Sequence, residues 1–586
     1  MSLERWIAMV VGLLLLCLAA VTVRRARARG DGVVTALGVF ATAWGGALAL
    51  FALPLIDYTA TPASVWLMVY GSVATFIAGS MLAEWRFRNV AHVAPAERQR
   101  PDARRLCFAW ALFAVLGLVG FAAFVHAVDV VVGWRAIFES PETVRGIQTS
   151  SVTFMDAYGP WKLLSYFNQV AFVLWTLGIR ERSFTGRWRV AWMLGPLSLA
   201  PFLFTGDRTL IVAALLWAVG FQMMYKPPTN LRRLALIAAS GLAVLILIFS
   251  FLGGRVGKTI DGQPDVAASL TTRSFDSVAL PYLYATGNIP AFSGMIDDPL
   301  RPDTNGELTF LSVIKLLHGF NLWGQPPETV GAFYPIPFQT FNNFSWLGIF
   351  YSDFGFLGVL LLPLLFAFVS TAVVIRAIRK RTLLSVWAAS LLLYCIVFTV
   401  DGYKFFDTLV TEYLLLGLVV VPFIRADLGP REIYRRLESK VRTEPGKAVA
   451  VTVTAMAVFA VAAAGLFFGG SDRSLDRSGP ALRSTMKAAA GLATETRNDG
   501  IYPTSEALAS QLRVNNPTIH YVGLYSADQI PGDPETIGVF TDKGRLILKA
   551  RASDDSILIF DSASGSEFRK QPGNTRHDEK PQRGNY

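Results

Sequence analysis

The chain has 586 residues, of which 53% are hydrophobic and 17% charged, and its net charge is +11. A soluble enzyme of this size would carry more charge, so the composition excludes that class and indicates a protein that lives in lipid. About twelve apolar stretches approach the roughly 20 residues that a helix needs to cross a bilayer. They lie near 5–23, 33–56, 64–85, 106–132, 161–179, 190–204, 208–225, 234–253, 346–375, 382–400, 405–424 and 448–469.

Lys and Arg residues are concentrated in alternate connections between these stretches. Because cytoplasmic loops of membrane proteins are enriched in Lys and Arg, we predict that the connections holding 28 of them are cytoplasmic. Twelve crossings of a bacterial cytoplasmic (inner) membrane then put both termini outside. The net charge is a topology signal and a contact for the lipid bilayer, and it does not indicate nucleic-acid binding. The basic connections are 24–29, 86–105, 180–189, 226–233, 376–381 and 425–447.

The first part of the chain, 1–425, is predicted to be an all-α polytopic membrane domain. It shows no repeat of matching hydropathy in its two halves. Its most distinctive piece is one long outer loop, 254–345, which is rich in aromatic residues and turn formers. Loops this long inside a compact array are usually functional, so we expect the working surface on the outer side.

A small α+β extracytoplasmic domain is predicted to follow. A basic cytoplasmic linker, 426–447, and a last transmembrane helix, 448–469, lead to the exported domain, 470–570, in which a helix at 474–498 precedes about four strands. The tail, 571–586, is rich in Pro, Gly and charge and is predicted to be disordered. The strands are expected at 518–525, 535–541, 544–551 and 556–561.

The sequence Thr205-Gly206-Asp207-Arg208-Thr209 lies at the predicted outer mouth between two spans. An arginine there can hold phosphate oxygens through its bidentate fork, while Gly206 allows a tight turn. The carboxylate of Asp207 is placed to pair with Arg208 and hold it. The alternative is an interfacial arginine whose side chain reaches the lipid headgroups.

The long loop carries cations on a side where few are expected, and these are candidates for binding an anionic ligand. The alternative is a solvated loop face. His318 lies in the same loop and is a candidate base, although a single loop histidine is more often neither base nor ligand. The cations are Arg255, Lys258, Arg273, Arg301 and Lys315.

Asp353 falls inside an apolar helix near its outer end, where a carboxylate is costly unless it faces a cavity or a cation. Gly355 and Gly358 follow it and indicate close helix packing. A second outer hairpin carries four charged residues that we expect to pair with one another and shape the mouth of the cavity. They are Asp401, Lys404, Asp407 and Glu412.

No His/Cys/carboxylate cluster has the spacing of a zinc site, and no phosphate-binding Gly loop or nucleophile elbow is present. An outward-facing enzyme of this kind would work without ATP, and we expect no metal and no cofactor.

The combination resembles the Wzy-type O-antigen or oligosaccharide repeat-unit polymerases. The resemblance rests on Gly206-Asp207-Arg208 at a span mouth, the stretch Tyr284 to Pro290, and Asn343 followed by Asp353-Phe354-Gly355 and Gly358. It covers roughly residues 1–425, with its specific matches between 205 and 358. The family more often has Gly-Ser-Arg in the first motif, so Asp207 is a departure from its pattern.

The resemblance implies a metal-independent, inverting glycosyltransferase of the C class (GT-C-like). A hydroxyl of one undecaprenyl-diphosphate-linked oligosaccharide would attack the anomeric carbon of another and expel the lipid diphosphate. Fixed cations would stabilise that leaving group. The catalytic candidates are Arg208, Arg273, Asp276, Asp353 and His318. The substrate-binding candidates are Asp207, Arg255, Arg301, Asn343 and the sugar-stacking aromatic residues Tyr284, Trp323 and Tyr334.

The exported domain looks similar to type IV pilin-like folds. The resemblance rests on an apolar helix that continues into a polar one, on the turn at Tyr502-Pro503-Thr504, and on a small sheet predicted to be antiparallel. No catalytic set is evident in it. We therefore expect it to bind a partner, such as a chain-length regulator or another cell-envelope protein, or to contact the glycan.

Three other functions are open alternatives. An O-antigen ligase would use the same donor and similar arginine chemistry. A lipid-linked oligosaccharide transporter or flippase would be expected to have charged residues deep in several spans and pseudo-symmetric halves, and neither is evident. A non-catalytic membrane platform would leave the cations of the long loop unexplained.

Overall fold

The computed structural model forms two compact units, Met1–Phe468 and Gly469–Tyr586. Each unit is considered by itself. The structure describes residues 2–53, 55–56, 58, 60–89, 99–150, 154, 157–227, 241, 282–296, 304–319, 322, 334–336, 339–341, 343–425, 504–515, 520–523, 529, 536–542, 545–551, 557–561 and 568–571.

The described part of the first unit is a bundle of helices with one short hairpin. In chain order the helices are α1 Leu3–Ala28, α2 Ala36–Ala52, α3 Ala63–Phe87, α4 Ala103–Val132, α5 Ala136–Glu139, α6 Pro141–Ser150, α7 Lys162–Arg180, α8 Ala191–Leu197, α9 Ala200–Thr205, α10 Arg208–Tyr225, α11 Asn288–Ile296, α12 Leu311–Gly319, α13 Ser345–Lys380, α14 Leu383–Phe398 and α15 Thr408–Ile424. Strands β1 Tyr334–Ile336 and β2 Gln339–Phe341 pair antiparallel before α13.

Four of the described helices, α1, α3, α4 and α13, are long and apolar enough to cross a membrane. Four shorter apolar helices accompany them, and these are α2, α10, α14 and α15. The chain is thus a helical membrane protein, and the count of twelve spans stays a prediction. The predicted sixth span, 190–204, is broken into α8 and α9. The windows 234–253 and 448–469 lie outside the described residues, apart from residue 241.

The described residues of the six basic connections lie at one end of the bundle, which we call the basic face. Arg29 Nη2 bonds Glu84 Oε2 at 3.2 Å, and Gln99 Oε1 accepts the N–H of Leu383 at 3.1 Å. Arg180 Nη2 donates to the carbonyl of Lys226 at 3.2 Å. The alternation that the sequence predicts is therefore consistent with the packing. Further bonds join Arg379 to Asp31, Asp102 to Ile424, Arg105 to Arg425, and Cys107 to Ser183.

The other end of the bundle, where α10, α13 and α15 begin, we call the loop face. Part of the long loop is folded against it. Tyr58 and Thr286 share a hydrogen bond of 2.7 Å between their hydroxyl oxygens. Tyr282 donates its hydroxyl to the carbonyl of Leu53 at 2.8 Å. These bonds fix the turn at 282–287 on the connection between α2 and α3, so this piece of the loop is an ordered part of the bundle.

Helix α13 is interrupted ten residues after it begins. Gly355 has φ +60° and ψ −152°, and an added Cβ there would meet no atom within 4 Å. The expectation that Gly355 serves close helix packing is therefore wrong, because its role is to supply a backbone conformation that side chains disfavour. Gly358 is required within α13 itself, since an added Cβ would lie 2.6 Å from the carbonyl oxygen of Phe350 on the other side of this interruption.

The second unit contains helix α16, Ser505–Asn515, and a five-stranded sheet in the order β3-β4-β5-β6-β7. The four predicted strands are confirmed as β3 His520–Gly523, β4 Thr536–Asp542, β5 Arg545–Arg551 and β6 Ile557–Asp561.

Three details of this unit differ from the prediction. A fifth strand, β7 Phe568–Gln571, extends the sheet to the start of the predicted tail. Strand β3 runs parallel to β4, so the sheet is mixed rather than antiparallel. Helix α16 was not predicted, because its 11 residues carry weak amphipathic spacing. The predicted helix at 474–498 lies outside the described residues.

Candidate functional site

A tight turn at the loop face joins α9 to α10. Gly206 has φ +70°, the left-handed conformation that ends α9 and reverses the chain. Arg208 is the first residue of α10, so its backbone lies at a helix N-terminus, where free N–H groups and the helix dipole favour an anion. The side chain of Arg208 lies outside the described part.

Asp207 is held by a residue that the sequence did not single out. Arg145 Nη1, on α6, donates to Asp207 Oδ1 at 2.6 Å. Gln148, one turn later, accepts from Arg145 at 3.2 Å and donates to the carbonyl of Thr205 at 2.9 Å. We expected Asp207 to pair with Arg208, and the structure gives the carboxylate Arg145 as a partner. Arg145 lies in the connection 131–161, which the charge pattern predicts to be on the outer side, so the reasoning applied to the long-loop cations would have marked it too.

The first turn of α10 and the second turn of α15 are both hydrogen-bonded to α7. Gln169 Nε2 donates to the carbonyl of Leu210 at 2.8 Å, and Gln169 Oε1 accepts from the hydroxyl of Tyr413 at 2.7 Å. Trp217 stacks on Tyr413 with ring centroids 4.7 Å apart. The turn that carries Asp207 therefore has a fixed position beside the start of α15. Tyr166, on α7, lies within electrostatic reach of Asp207, Asp407 and Glu412.

Asn343, a residue of the family-like pattern, contacts the hairpin between α14 and α15. Its Nδ2 donates to Asp401 Oδ1 at 2.9 Å. Two residues later Ser345 has φ +55°, a strained conformation for a residue with a side chain, and such strain is often found at functional sites. Asp401 is half-buried, and its Oδ2 accepts no hydrogen bond from another described residue. Burial raises the pKa of Asp401 to about 6, against the lowering effects of Lys404 and Asn343.

The rest of this hairpin only partly follows the expected mutual pairing. Lys404 Nζ lies 2.9 Å from Asp407 Oδ2, and this pairing raises the pKa of Lys404. Burial works against the charge of Asp407, but Lys404 outweighs it and holds the pKa of Asp407 below its ordinary value. Glu412 does not join the pair, and its buried Oε2 has no hydrogen-bond partner among the described residues. Asp401 bonds Asn343 instead.

Asp353, a candidate base, is 6% exposed and faces backbone rather than a cation. Its Oδ2 accepts the N–H of Thr309 at 2.5 Å, and its Oδ1 accepts the N–H of Leu308 at 3.3 Å and the hydroxyl of Thr304. Tyr403 donates to the carbonyl of Thr309 at 2.9 Å. Asp353 thus fixes a turn of the long loop against the 401–407 hairpin, which is a positioning role.

Of the remaining candidates, Tyr284 is half-buried against the core, and its carbonyl accepts Nδ2 of Asn288 at 2.7 Å. His318 lies half-buried in the last turn of α12. Tyr334 is the first residue of β1, and its side chain is not described. Five candidates lie outside the described residues, and these are Arg255, Arg273, Asp276, Arg301 and Trp323.

The loop face thus carries polar residues that are far apart in the chain. They offer a half-buried carboxylate with a spare oxygen at Asp401, a salt-bridged carboxylate at Asp207, and a helix N-terminus at Arg208. This arrangement can accept a proton at one point and hold an anion at another. Within the described part of the chain, no group of three or more His, Cys, Asp or Glu side chains could hold a metal ion.

Comparison of the chain with protein-family models, with curated proteins and with solved structures finds no match.

Proposed function

We propose that the chain is a membrane glycosyltransferase that polymerises undecaprenyl-diphosphate-linked oligosaccharide repeat units into a surface polysaccharide. The reaction would take place at the loop face, which we infer to be the outer side of the cytoplasmic membrane. The proposal rests on the family-like motifs and on the residues that these motifs bring together.

The donor's diphosphate would bind at the beginning of α10. Arg208 opens this helix, and the helix dipole adds positive potential at its first turn. Arg145, which lies beside it through its bond to Asp207, adds a second cation. As the bond from the anomeric carbon to the diphosphate breaks, the electron pair moves onto a diphosphate oxygen, and fixed cations stabilise that charge.

The acceptor hydroxyl would bind near Asp401. Its proton would pass to Asp401 Oδ2 while its oxygen forms the new bond to the anomeric carbon of the donor. Asn343 fixes the other carboxylate oxygen and so orients the base. A pKa of about 6 leaves Asp401 ionised at neutral pH yet basic enough to take a proton, as general-base catalysis requires.

A single observation carries this proposal. The turn before α10 and the hairpin before α15 occupy one face of the bundle, joined by Gln169 between Leu210 and Tyr413. In this reaction the base acts on the acceptor hydroxyl and the cations act on the donor diphosphate, and both groups are bound to the same anomeric carbon in the transition state. Residues 207 and 401 come from distant parts of the sequence, and this packing supports their use in a single site.

Glycan length, profiled by gel, tests the proposal in a strain lacking the gene and complemented with variants. We expect Arg208→Ala, Arg145→Ala and Asp401→Asn to leave single repeats in place of long chains. Arg104→Ala is the matched control, because Arg104 is an exposed arginine at the basic end of α4, and this variant should make chains of normal length.

Other outcomes select a different function. Unchanged glycan in the gene-deleted strain would overturn the enzyme proposal. Long chains that form but do not reach their final acceptor would instead indicate the ligase. Normal chain length with Asp401→Asn and short chains with Arg208→Ala would retain the polymerase and reject Asp401 as its base.

A further inference from the structure

A cleft of about 270 Å³ lies at the basic face, between the end of α3 and the end of α13. Its walls are the apolar side chains of Phe87, Ala372 and Val373. Its rim carries two cations of α13, Arg376 and Lys380. The cleft therefore combines an apolar wall with positive charge. The wall is complementary to the acyl chain of a phospholipid, and the cations are complementary to its phosphate.

A neighbouring arginine fixes the width of this cleft. Arg379 is 5% exposed, and its Nη1 donates to the carbonyls of Phe87 at 3.1 Å and Arg88 at 2.7 Å. It also bonds both carboxylate oxygens of Asp31, at 3.2 and 3.3 Å. Because these bonds hold the end of α3 to the end of α13, the two walls of the cleft are positioned before any ligand binds.

Within the described part of the chain, the two rim cations have no acidic partner. Asp31 pairs with Arg379, and Glu84 pairs with Arg29 at 3.2 Å. Arg376 and Lys380 are exposed, and neither bonds an acidic group among the described residues. They stand four residues apart on one helix, a spacing at which like charges repel each other. An anion placed between them would relieve that repulsion.

The surface of α13 continues the cleft as an apolar stripe. Leu361, Leu365 and Val369 are 61%, 52% and 46% exposed and repeat every four residues, so they follow one side of the helix toward Arg376. At 1.5 Å per residue, Leu361 to Arg376 spans roughly 22 Å. One leaflet contributes about 15 Å of hydrocarbon, so an acyl chain can lie along this stripe with its headgroup at the cations.

We propose that this cleft is a binding site for an anionic phospholipid of the bilayer. The phosphate lies between Arg376 and Lys380, and one acyl chain runs along Phe87, Val373 and the apolar stripe. This site is independent of the proposed glycosyltransferase reaction, because it lies at the opposite end of the bundle. Its basis is charge complementarity in a cleft that buried bonds have already shaped.

Native mass spectrometry of the full-length protein in a neutral detergent tests this, with phosphatidylglycerol and phosphatidylcholine as the added lipids. Each cation near an anionic lipid contributes roughly fivefold in affinity, so the double variant Arg376→Gln/Lys380→Gln should bind phosphatidylglycerol about 25-fold more weakly. The matched control, Arg24→Gln/Arg25→Gln, removes two exposed cations from the same face outside the cleft and should bind as the wild type does.

Glycerol phosphate, a soluble headgroup, separates a lipid from a free phosphate. It should not displace the bound phosphatidylglycerol, because it cannot occupy the apolar stripe. Equal binding by the double variant and the wild type would overturn the proposal. So would an equal loss in the control, equally tight binding of phosphatidylcholine, or full displacement by glycerol phosphate.

Discussion

The two ends of the helix bundle use their charged residues in different ways. At the basic face, cations are bonded to carbonyls and carboxylates that close the ends of the helices, as Arg379 is to Asp31 and to the carbonyls of Phe87 and Arg88. At the loop face, two carboxylates keep unused capacity. Asp401 has one described hydrogen-bond donor, Asn343, and Oε2 of Glu412 has none among the described residues.

The difference separates charge used for structure from charge kept for chemistry. A buried charge is tolerated when hydrogen bonds replace its lost hydration, so the bonds of Arg379 at the basic face have a structural role. An incompletely bonded carboxylate costs stability, and such groups cluster where a protein binds or reacts. Arg376 and Lys380 are exposed cations of the basic face that also line a cleft with an apolar wall, which is why we assign them a ligand.

The largest expected effect on stability comes from removing the side chain of Arg379. Arg379→Ala removes the donor of two buried carbonyls and one ion-pair partner of Asp31, which keeps Arg29 at 3.7 Å. Removing one partner of a buried pair costs about 3–5 kcal/mol. We expect a large loss in the thermal stability of the full-length protein, followed by tryptophan fluorescence in detergent. Arg104→Ala, at an exposed position of the same face, should unfold as the wild type does. Equal stability of the two variants would mean that the Arg379 bonds do not hold the bundle.

The pH dependence of stability is expected to show the cost of Asp401. In the folded protein the pKa of Asp401 is about 6, and its ordinary value is 3.8. Between these values the unfolded chain loses its proton first, so stability falls as pH rises through this window and stays low above it. The loss is up to about 3 kcal/mol, because each pKa unit corresponds to about 1.4 kcal/mol.

Two variants check the sign of this effect. Asp401→Asn, which resembles the protonated acid, should be more stable relative to wild type at pH 7 than at pH 4. Asp407→Asn should have the opposite sign, because Lys404 lowers the pKa of Asp407 and its charge stabilises the fold above the ordinary value of 3.8. This variant should therefore be less stable than wild type at pH 7 and should recover only as the pH falls below that value. Parallel trends in the two variants would contradict the separate roles given to these carboxylates.

The sequence predicted the helical membrane character and the C-terminal strands, because apolar runs and alternation are local signals. It also marked Gly206 correctly as a turn. It could not predict that Arg145 bonds Asp207, since nothing in the spacing of residues 62 positions apart encodes their contact. Nor could it predict that Asp401 bonds outside the group of charged residues at 401–412, because its hydrogen-bond partner, Asn343, comes from another segment of the chain.

A middle-sized effect is expected at Asp353, which has little exposure but is bonded to the loop. Asp353→Ala would leave the N–H groups of Leu308 and Thr309 without their acceptor, at a cost of about 1–3 kcal/mol for a buried unsatisfied group. Hydrogen exchange of peptides covering 304–310 should become faster, while peptides from α14 stay protected. Asp353→Asn keeps one acceptor oxygen, so exchange of these peptides should be intermediate between wild type and Asp353→Ala. Unchanged exchange in Asp353→Ala would remove the positioning role and return Asp353 to the candidates for the base.

The smallest effect on stability is expected at the Arg145–Asp207 pair. Its side chains are 39% and 29% exposed, and exposed ion pairs contribute about 0.2–1 kcal/mol. A double-mutant cycle with Arg145→Gln and Asp207→Asn should therefore give a coupling energy below about 1 kcal/mol that shrinks as salt is added. Glycan length measured on the same three variants distinguishes a binding role of this pair from a structural one. Short chains with nearly unchanged stability would mean that this pair is kept for binding. Chains of normal length in all three would place it with the structural bonds of the basic face.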